Sequence, residues 1–251
     1  MAMKQLADDQ LATFDTEYVT EPLWDILKRH IDRAFPDGRF SFIDIGGGNG
    51  VFADRLLAAY PEATGTVLDN SRLLLDRNKP NPRKTLVEES AEHLDRLDGR
   101  YDMVFFNWVL HHLVGDDYRK SVAHVDATLR KAAALLTPRG RISIFENMYD
   151  GLLVDNAPSH IIFNLTSAKT IAPIMRRLGA NTASLGVCFQ SKSSWQRILD
   201  RAGLGAVDYG EDGRWPIPWS WRAFLHVGNI RCANFWGRPR SVGDVADAAP
   251  A

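Results

Sequence analysis

The chain has little of what would tie it to several common functions. Its two cysteines, Cys188 and Cys232, are too few for a disulfide framework and have no metal-ligand spacing. No apolar run approaches the roughly 20 residues that cross a bilayer. The polar start, MAMKQLADDQ, lacks the apolar core of a signal peptide, so a soluble, cytoplasmic protein is expected. Neither sign of charge dominates: 30 basic against 31 acidic residues leave a formal net charge of -1. That balance argues against a nucleic-acid groove and against a polybasic membrane surface. Also missing are a Gly-Lys-Ser/Thr phosphate loop, an HExxH pair, a Gly-x-Ser-x-Gly elbow and a CxxC pair. His30, His93, His124, His160 and His226 are scattered without metal spacing, so no metal is expected.

What is present is an alternation. A helical pattern over residues 5–35, with Leu23, Trp24, Leu27 and Ile31 at helical spacing, ends at Pro36-Asp37-Gly38. Strands are expected at 40–45, 63–68, 84–88, 102–106 and 141–145. Helices are expected at 51–60, 72–78 and 118–136. Strands alternating with helices give right-handed βαβ units and a parallel sheet, and at 251 residues the chain suits one large α/β domain with a modest addition. Beyond Glu146 a helical insert including 171–178, a helix over 193–202 and a terminal hairpin of 204–209 with 221–227 are expected. The expected divisions are an N-terminal helical cap (1–36), a main domain (37–238) with an insert at 147–190, and a disordered tail (239–251).

The most informative stretch is Phe42 to Gly50, FIDIGGGNG. An apolar strand carrying Asp44 breaks into glycines and opens a helix, which is how α/β proteins bring backbone against a nucleoside-bearing ligand. The dinucleotide fingerprint counted from Gly46 needs its third glycine at the sixth position, where Val51 stands. The pattern present is acid-x-Gly-x-Gly-x-Gly over Asp44, Gly46, Gly48 and Gly50. Asp69 ends the next strand, 19 positions beyond Gly50, where an acid reaches the ribose hydroxyls of an adenosine ligand; capping the following helix is the alternative use for Asp69 and Asn70.

These features resemble the class I S-adenosylmethionine-dependent methyltransferases, in their small-molecule branch. The resemblance implies a Rossmann-like, seven-stranded, mostly parallel sheet with helices on both faces, an N-terminal helical lid and a helical insert after the fifth strand. It implies that the glycine turn wraps the methionine part of S-adenosylmethionine and that Asp69 grips both ribose hydroxyls. Ser90-Ala91 stands where an Asp-Ala pair contacts adenine in related enzymes, so the contact is weakened or its donor changed. A helix cap is the alternative for Ser90. The segment YDMVFFNWVLHHL, residues 101–113, resembles the fourth motif of the branch. By that match Asn107 and Trp108 lie on the sulfur side of the cofactor, and His111 and His112 at the mouth of the acceptor pocket, on a helix that the pair begins.

A histidine titrating near neutrality can serve as a general base, or it can pack inward as scaffold. Adjacent histidines are expected to face apart, so that at most one meets substrate. Glu146 ends the fifth strand, where open α/β sheets place ligands, and either orients an acceptor or is a structural acid. Trp215, Trp219, Trp221 and Trp236, four of seven tryptophans, either wall a pocket or form core. Phe14 and Tyr18 are candidates for a lid over the cofactor. The function that follows is methyl transfer from S-adenosylmethionine to a small aromatic or apolar metabolite at oxygen, nitrogen or carbon, in the setting of secondary metabolism. A homodimer is left open. The competing reading is an NAD(P)-dependent oxidoreductase, opposed by the failed glycine spacing and by the lack of a Tyr-x-x-x-Lys pair.

Overall fold

The computed structural model describes residues 19–177, 182–213 and 215–240. Seven strands form one sheet: β1 (Ser41–Ile45), β2 (Thr64–Asp69), β3 (Lys84–Glu88), β4 (Tyr101–Asn107), β5 (Leu136–Gly151), β6 (Leu204–Glu211) and β7 (Val227–Pro239). Their order is β3-β2-β1-β4-β5-β7-β6. The first five run parallel, and β7 inserts antiparallel between β5 and β6. Strand order reverses between β1 and β4, and there an open α/β sheet leaves a crevice at its carboxyl edge.

Apolar residues point to both sides of the strands because both faces are covered. Phe42, Met103, Phe105 and Phe145 face one side, under α1 (Glu21–Ala34) and α2 (Val51–Ala59). Ile43, Ile45, Val104, Phe106, Ile142 and Ile144 face the other, under α4 (Tyr118–Ala134) and α7 (Lys192–Arg201). The expected repeat Leu23, Trp24, Leu27 and Ile31 is the buried stripe of α1. Remaining helices are α3 (Arg72–Leu75), α5 (Ala157–Ser167), α6 (Ala172–Arg177) and α8 (Trp219–Phe224). Among the described residues no helix is long and apolar enough to cross a membrane, and no group of side chains could hold a metal ion.

Several expectations need correction. The fifth strand runs through Thr137-Pro138-Arg139-Gly140 and past Glu146, because its second half pairs with β7 from Ile142↔Gly237 onward. The hairpin partner of β6 is β7, whereas 219–224 is helical, with Pro218 at its N-cap. Buried Arg231 and Asn234 interrupt the apolar pattern of β7, so its sequence does not read as a strand. Asn234 is matched across the sheet by a 2.8 Å hydrogen bond to Ser143 Oγ. The short 171–178 helix is a 3-10 turn (Lys169–Ile171) leading into α6. Pro239, placed in the tail, is the last residue of β7. The N-terminal cap up to residue 18, with Phe14 and Tyr18, and the tail from 241 lie outside the described residues.

Helix α2, which follows the glycine turn, is clamped by the start of the third strand. Arg83 donates to the carbonyls of Leu57, Tyr60 and Ala63 at 2.8–3.1 Å, closing its C-terminal end. The nearly inaccessible Lys84 ammonium meets Asp54 at 2.6 Å. Replacing Arg83 with Ala removes three charge-assisted bonds, so urea denaturation should show a loss of about 2 kcal/mol.

Candidate active site

The glycine turn is held from below and from the side. Gly46 and Gly47 amides donate to Leu68 O at 2.7 and 3.2 Å. Gly46, Gly48 and Gly50 have φ of +74°, +51° and +73°, which explains the alternate glycines: only glycine takes this region without strain. Gly47 is there for space, since a Cβ would stand 2.5 Å from Asp44 Oδ2. Asp44 is thus tucked under the turn, and its Oδ1 accepts from Asn107 Nδ2 at 3.3 Å. The acid of the motif bridges the turn to the tip of β4.

Asp69 fastens the turn's outer side. Its carboxylate accepts from the Gly48 amide at 3.0 Å and the Ser71 amide at 2.8 Å. Burial pushes its pKa up, opposed by the amides of Ser71, Gly48 and Asn70. The cap of α3 is Ser71, not Asp69 or the exposed Asn70. Asn78, a residue no local pattern singles out, donates from Nδ2 to Gly48 O at 2.8 Å. Ser90 and Ala91 lie beside this corner, for Glu89 N reaches Asp69 O at 3.1 Å. The Ser90 hydroxyl accepts from Glu92 N at 3.2 Å, so it does cap the 3-10 turn Ala91–Arg96.

At the tip of β4, Trp108 turns into a left-handed conformation (φ +53°), unusual for a bulky residue. Its indole stacks on Phe145 at 5.6 Å and donates to Asn147 Oδ1 at 3.0 Å. Asn107 Oδ1 is buried with no hydrogen-bond partner. The histidine pair stands on a 3-10 turn, Leu110–His112, and α4 begins only at Tyr118. Glu146, fully buried, anchors that turn: it accepts from Leu110 N at 2.8 Å, His111 N at 3.3 Å and His111 Nδ1 at 2.6 Å. The two imidazoles do not face apart as expected, because their ring centres are 4.1 Å apart. Phe189 lies 4.8 Å from His111 and 4.6 Å from Tyr149, extending a wall of rings that local patterns did not reveal. The tryptophan group is not one feature. Trp236 is core, stacked on His30 at 5.1 Å, while Trp215, Trp219 and Trp221 are exposed.

A glycine turn after β1 and an acid ending β2, on a seven-stranded and mostly parallel sheet, are what the resemblance to the class I S-adenosylmethionine-dependent methyltransferases implied. Residues 43–142, from β1 into β5, match the family described as "Methyltransferase domain", which supports an S-adenosylmethionine-dependent methyltransferase. This sets aside the nicotinamide reading. Over 70 residues the chain is 40% identical to a ribosomal RNA large subunit methyltransferase G of Psychromonas ingrahamii, covering 28% of this chain and 18% of that protein. It is 23% identical over 185 residues to an inositol 4-methyltransferase of Mesembryanthemum crystallinum, covering 73% and 44%. The chain thus spans less than half the length of these curated relatives. Among solved structures, 1,6-didemethyltoxoflavin-N1-methyltransferase of Burkholderia thailandensis superposes with a TM-score of 0.56 at 18% identity, over 93% of this chain and 83% of that one. At that identity the likeness concerns the fold.

The surroundings of His112 make a pH prediction. Burial, then the neighbouring His111, lower its pKa well below the ordinary histidine value of 6.5. In the unfolded chain this imidazole binds a proton as pH falls through that ordinary value, while in the folded site it stays neutral. Stability therefore falls as pH drops below about 6.5. His30, also lowered chiefly by burial, acts in the same direction. Replacing His112 with Gln should flatten part of the loss of urea midpoint between about pH 7 and pH 5.

Proposed function

We propose that the protein transfers a methyl group from S-adenosylmethionine to a small aromatic or apolar metabolite, with His111 removing the acceptor's proton. The observation that carries this reading is the buried His111–Glu146 pair, just past the carboxyl end of β4 and level with it on β5, alongside the glycine turn. The residues present suit the cofactor. The Gly48 side is open, since a Cβ there would meet nothing closer than 3.4 Å, and the Asp69 carboxylate borders it. Asn107 Oδ1 is a buried acceptor in need of a donor, as the cofactor's ammonium group would supply.

In this reading Asp69 holds the ribose hydroxyls, Asp44 and Asn107 secure the methionine end, and Ser90-Ala91 borders the adenine with Asn70 beside it. Trp108 closes the sulfur side. S-adenosylmethionine, when bound, supplies a methyl carbon that its sulfonium already makes electrophilic. The chain's task is to align and dry the acceptor atom. Glu146 accepts from Nδ1–H, which leaves the lone pair of neutral His111 on Nε2. Nε2 would take the proton that an acceptor O–H or N–H gives up. Glu146 would then stabilise the imidazolium across the same 2.6 Å contact. His112, held neutral by its surroundings, adds no charge against it. The 147–190 segment is the acceptor-binding part, and its Tyr149 and Phe189 give a flat ring a face to pack on.

Three measurements test this reading. Incubating metabolite extracts with methyl-deuterated cofactor should label a small acceptor by mass spectrometry, and no labelled product in any extract would sink the activity. Calorimetry on Asp69→Ala should show S-adenosylmethionine bound about 1–3 kcal/mol more weakly, through the lost charge-assisted bonds. His111→Ala should keep cofactor affinity while the methylation rate falls about 10²–10⁴-fold. An unchanged rate in that variant would leave alignment alone as the catalyst.

A further inference from the structure

The turn that leaves β5 and the helix that precedes β7 meet at the carboxyl edge of the sheet. There Gly151 pairs with Val227, and the Leu152 amide donates to His226 O at 2.9 Å. Both segments are apolar on the outside. Leu152, Leu153 and Val154 of the turn are exposed, Leu153 to 87%. Trp219, Trp221 and Phe224 of α8 are exposed too, Trp219 to 76%. No residue of α8 is buried, so core packing does not account for its aromatic rings. Its flanks do reach inward. Ile217 and Leu225 pack on the cluster of Tyr149, Val227 and Ile230, against which Phe189 also packs. The exposed face is thus continuous with the wall of rings beside His111.

The charge around this face has one sign, which the net charge near zero conceals. None of the chain's 31 acidic residues falls within residues 156–199 or 213–243, the insert and the stretch that carries α8. Arg222 of α8 is exposed, and its guanidinium has no ion pair among the described residues. The acids at the border are engaged. Asp150 and Glu211 meet Arg231 at 2.5 and 3.3 Å, and Asp155 accepts from Ser191 Oγ at 2.7 Å.

We infer that the 151–155 turn and α8 form a docking face for an anionic lipid surface. Tryptophan and phenylalanine beside leucine, with an arginine among them, suit the headgroup zone, where rings bury an apolar body and the indole N–H stays wet. A cation at that depth meets lipid phosphates, and the acid-free surroundings do not oppose it. A second copy of this chain fits less well. These six apolar side chains fall well short of the roughly 20–30 residues a side that a stable interface takes. A two-fold contact would also set this patch against itself, basic group facing basic group. Docking brings the ring wall of the proposed acceptor site towards the lipid, a consequence that rests on the methyl-transfer reading; the docking itself does not.

The test is co-sedimentation of the full chain with vesicles, run without cofactor or acceptor, so that its outcome is separate from that of the methylation assays. Vesicles of phosphatidylcholine and phosphatidylglycerol in equal parts are expected to carry the protein down and to shift its tryptophan emission to the blue. In W219S/F224S, which alters two exposed side chains, that partition should weaken about tenfold or more. In R222Q it should weaken about fivefold, with binding to phosphatidylcholine alone unchanged. Both variants should keep the Tm of the parent chain. No co-sedimentation, or undiminished partition of the folded W219S/F224S variant, would overturn the inference. So would a dimer in sedimentation velocity that W219S/F224S dissociates, which would give the face to a second copy.

Discussion

Burial of both faces of the sheet is the constraint from which the rest of this molecule follows. With Phe42, Phe105 and Phe145 sealed on one side and Val104, Phe106 and Ile144 on the other, much of the polar chemistry moves to the strand ends. The carboxyl ends gather Asp44, Asp69, Asn107 and Glu146, and the opposite edge gathers arginines. Acid at one rim and base at the other is a division of charge along the strands. It is invisible in a net charge near zero.

Within the carboxyl rim, two buried acids do parallel work on backbone. Asp69 takes amides from Gly48 and Ser71, and Glu146 takes amides from Leu110 and His111. Each pins a turn that would otherwise leave N–H groups unpaired in a dry place. The structural use of these carboxylates therefore does not compete with the roles proposed for them. On the reading proposed above, a carboxylate that orders a turn also stands where that turn meets ligand, and for Asp69 the amides oppose the desolvation that burial costs.

The parts of the fold legible in the sequence were those set by short-range rules. The stripe of α1, the βα alternation and the glycines with φ above zero are written in spacing, and all appear at or near the expected positions. The parts that escaped depend on partners far along the chain. Glu146 and Asn147 read as the end of a strand because they are polar, yet β5 continues through them. Arg231 and Asn234 disguised β7 because their partners, Asp150 and Ser143, are about 80–90 residues away. The histidine pair looked like a helix start, but Glu146 holds it as a tighter turn. The contacts of Asn78 and Phe189 are meetings of distant segments that no local window contains.

The antiparallel ladder between β5 and β7 sets an order of assembly. Ile142 to Gly151 find their second neighbour only in residues 227–237, so the strand bearing Glu146 stays an open edge until those residues arrive. An exposed, apolar strand edge pairs readily with other chains. The same pairing that completes the rim around Glu146 is thus a long-range, slow-forming contact. While it is unmade, the nascent chain carries an unpaired strand edge beside the turn that Glu146 holds.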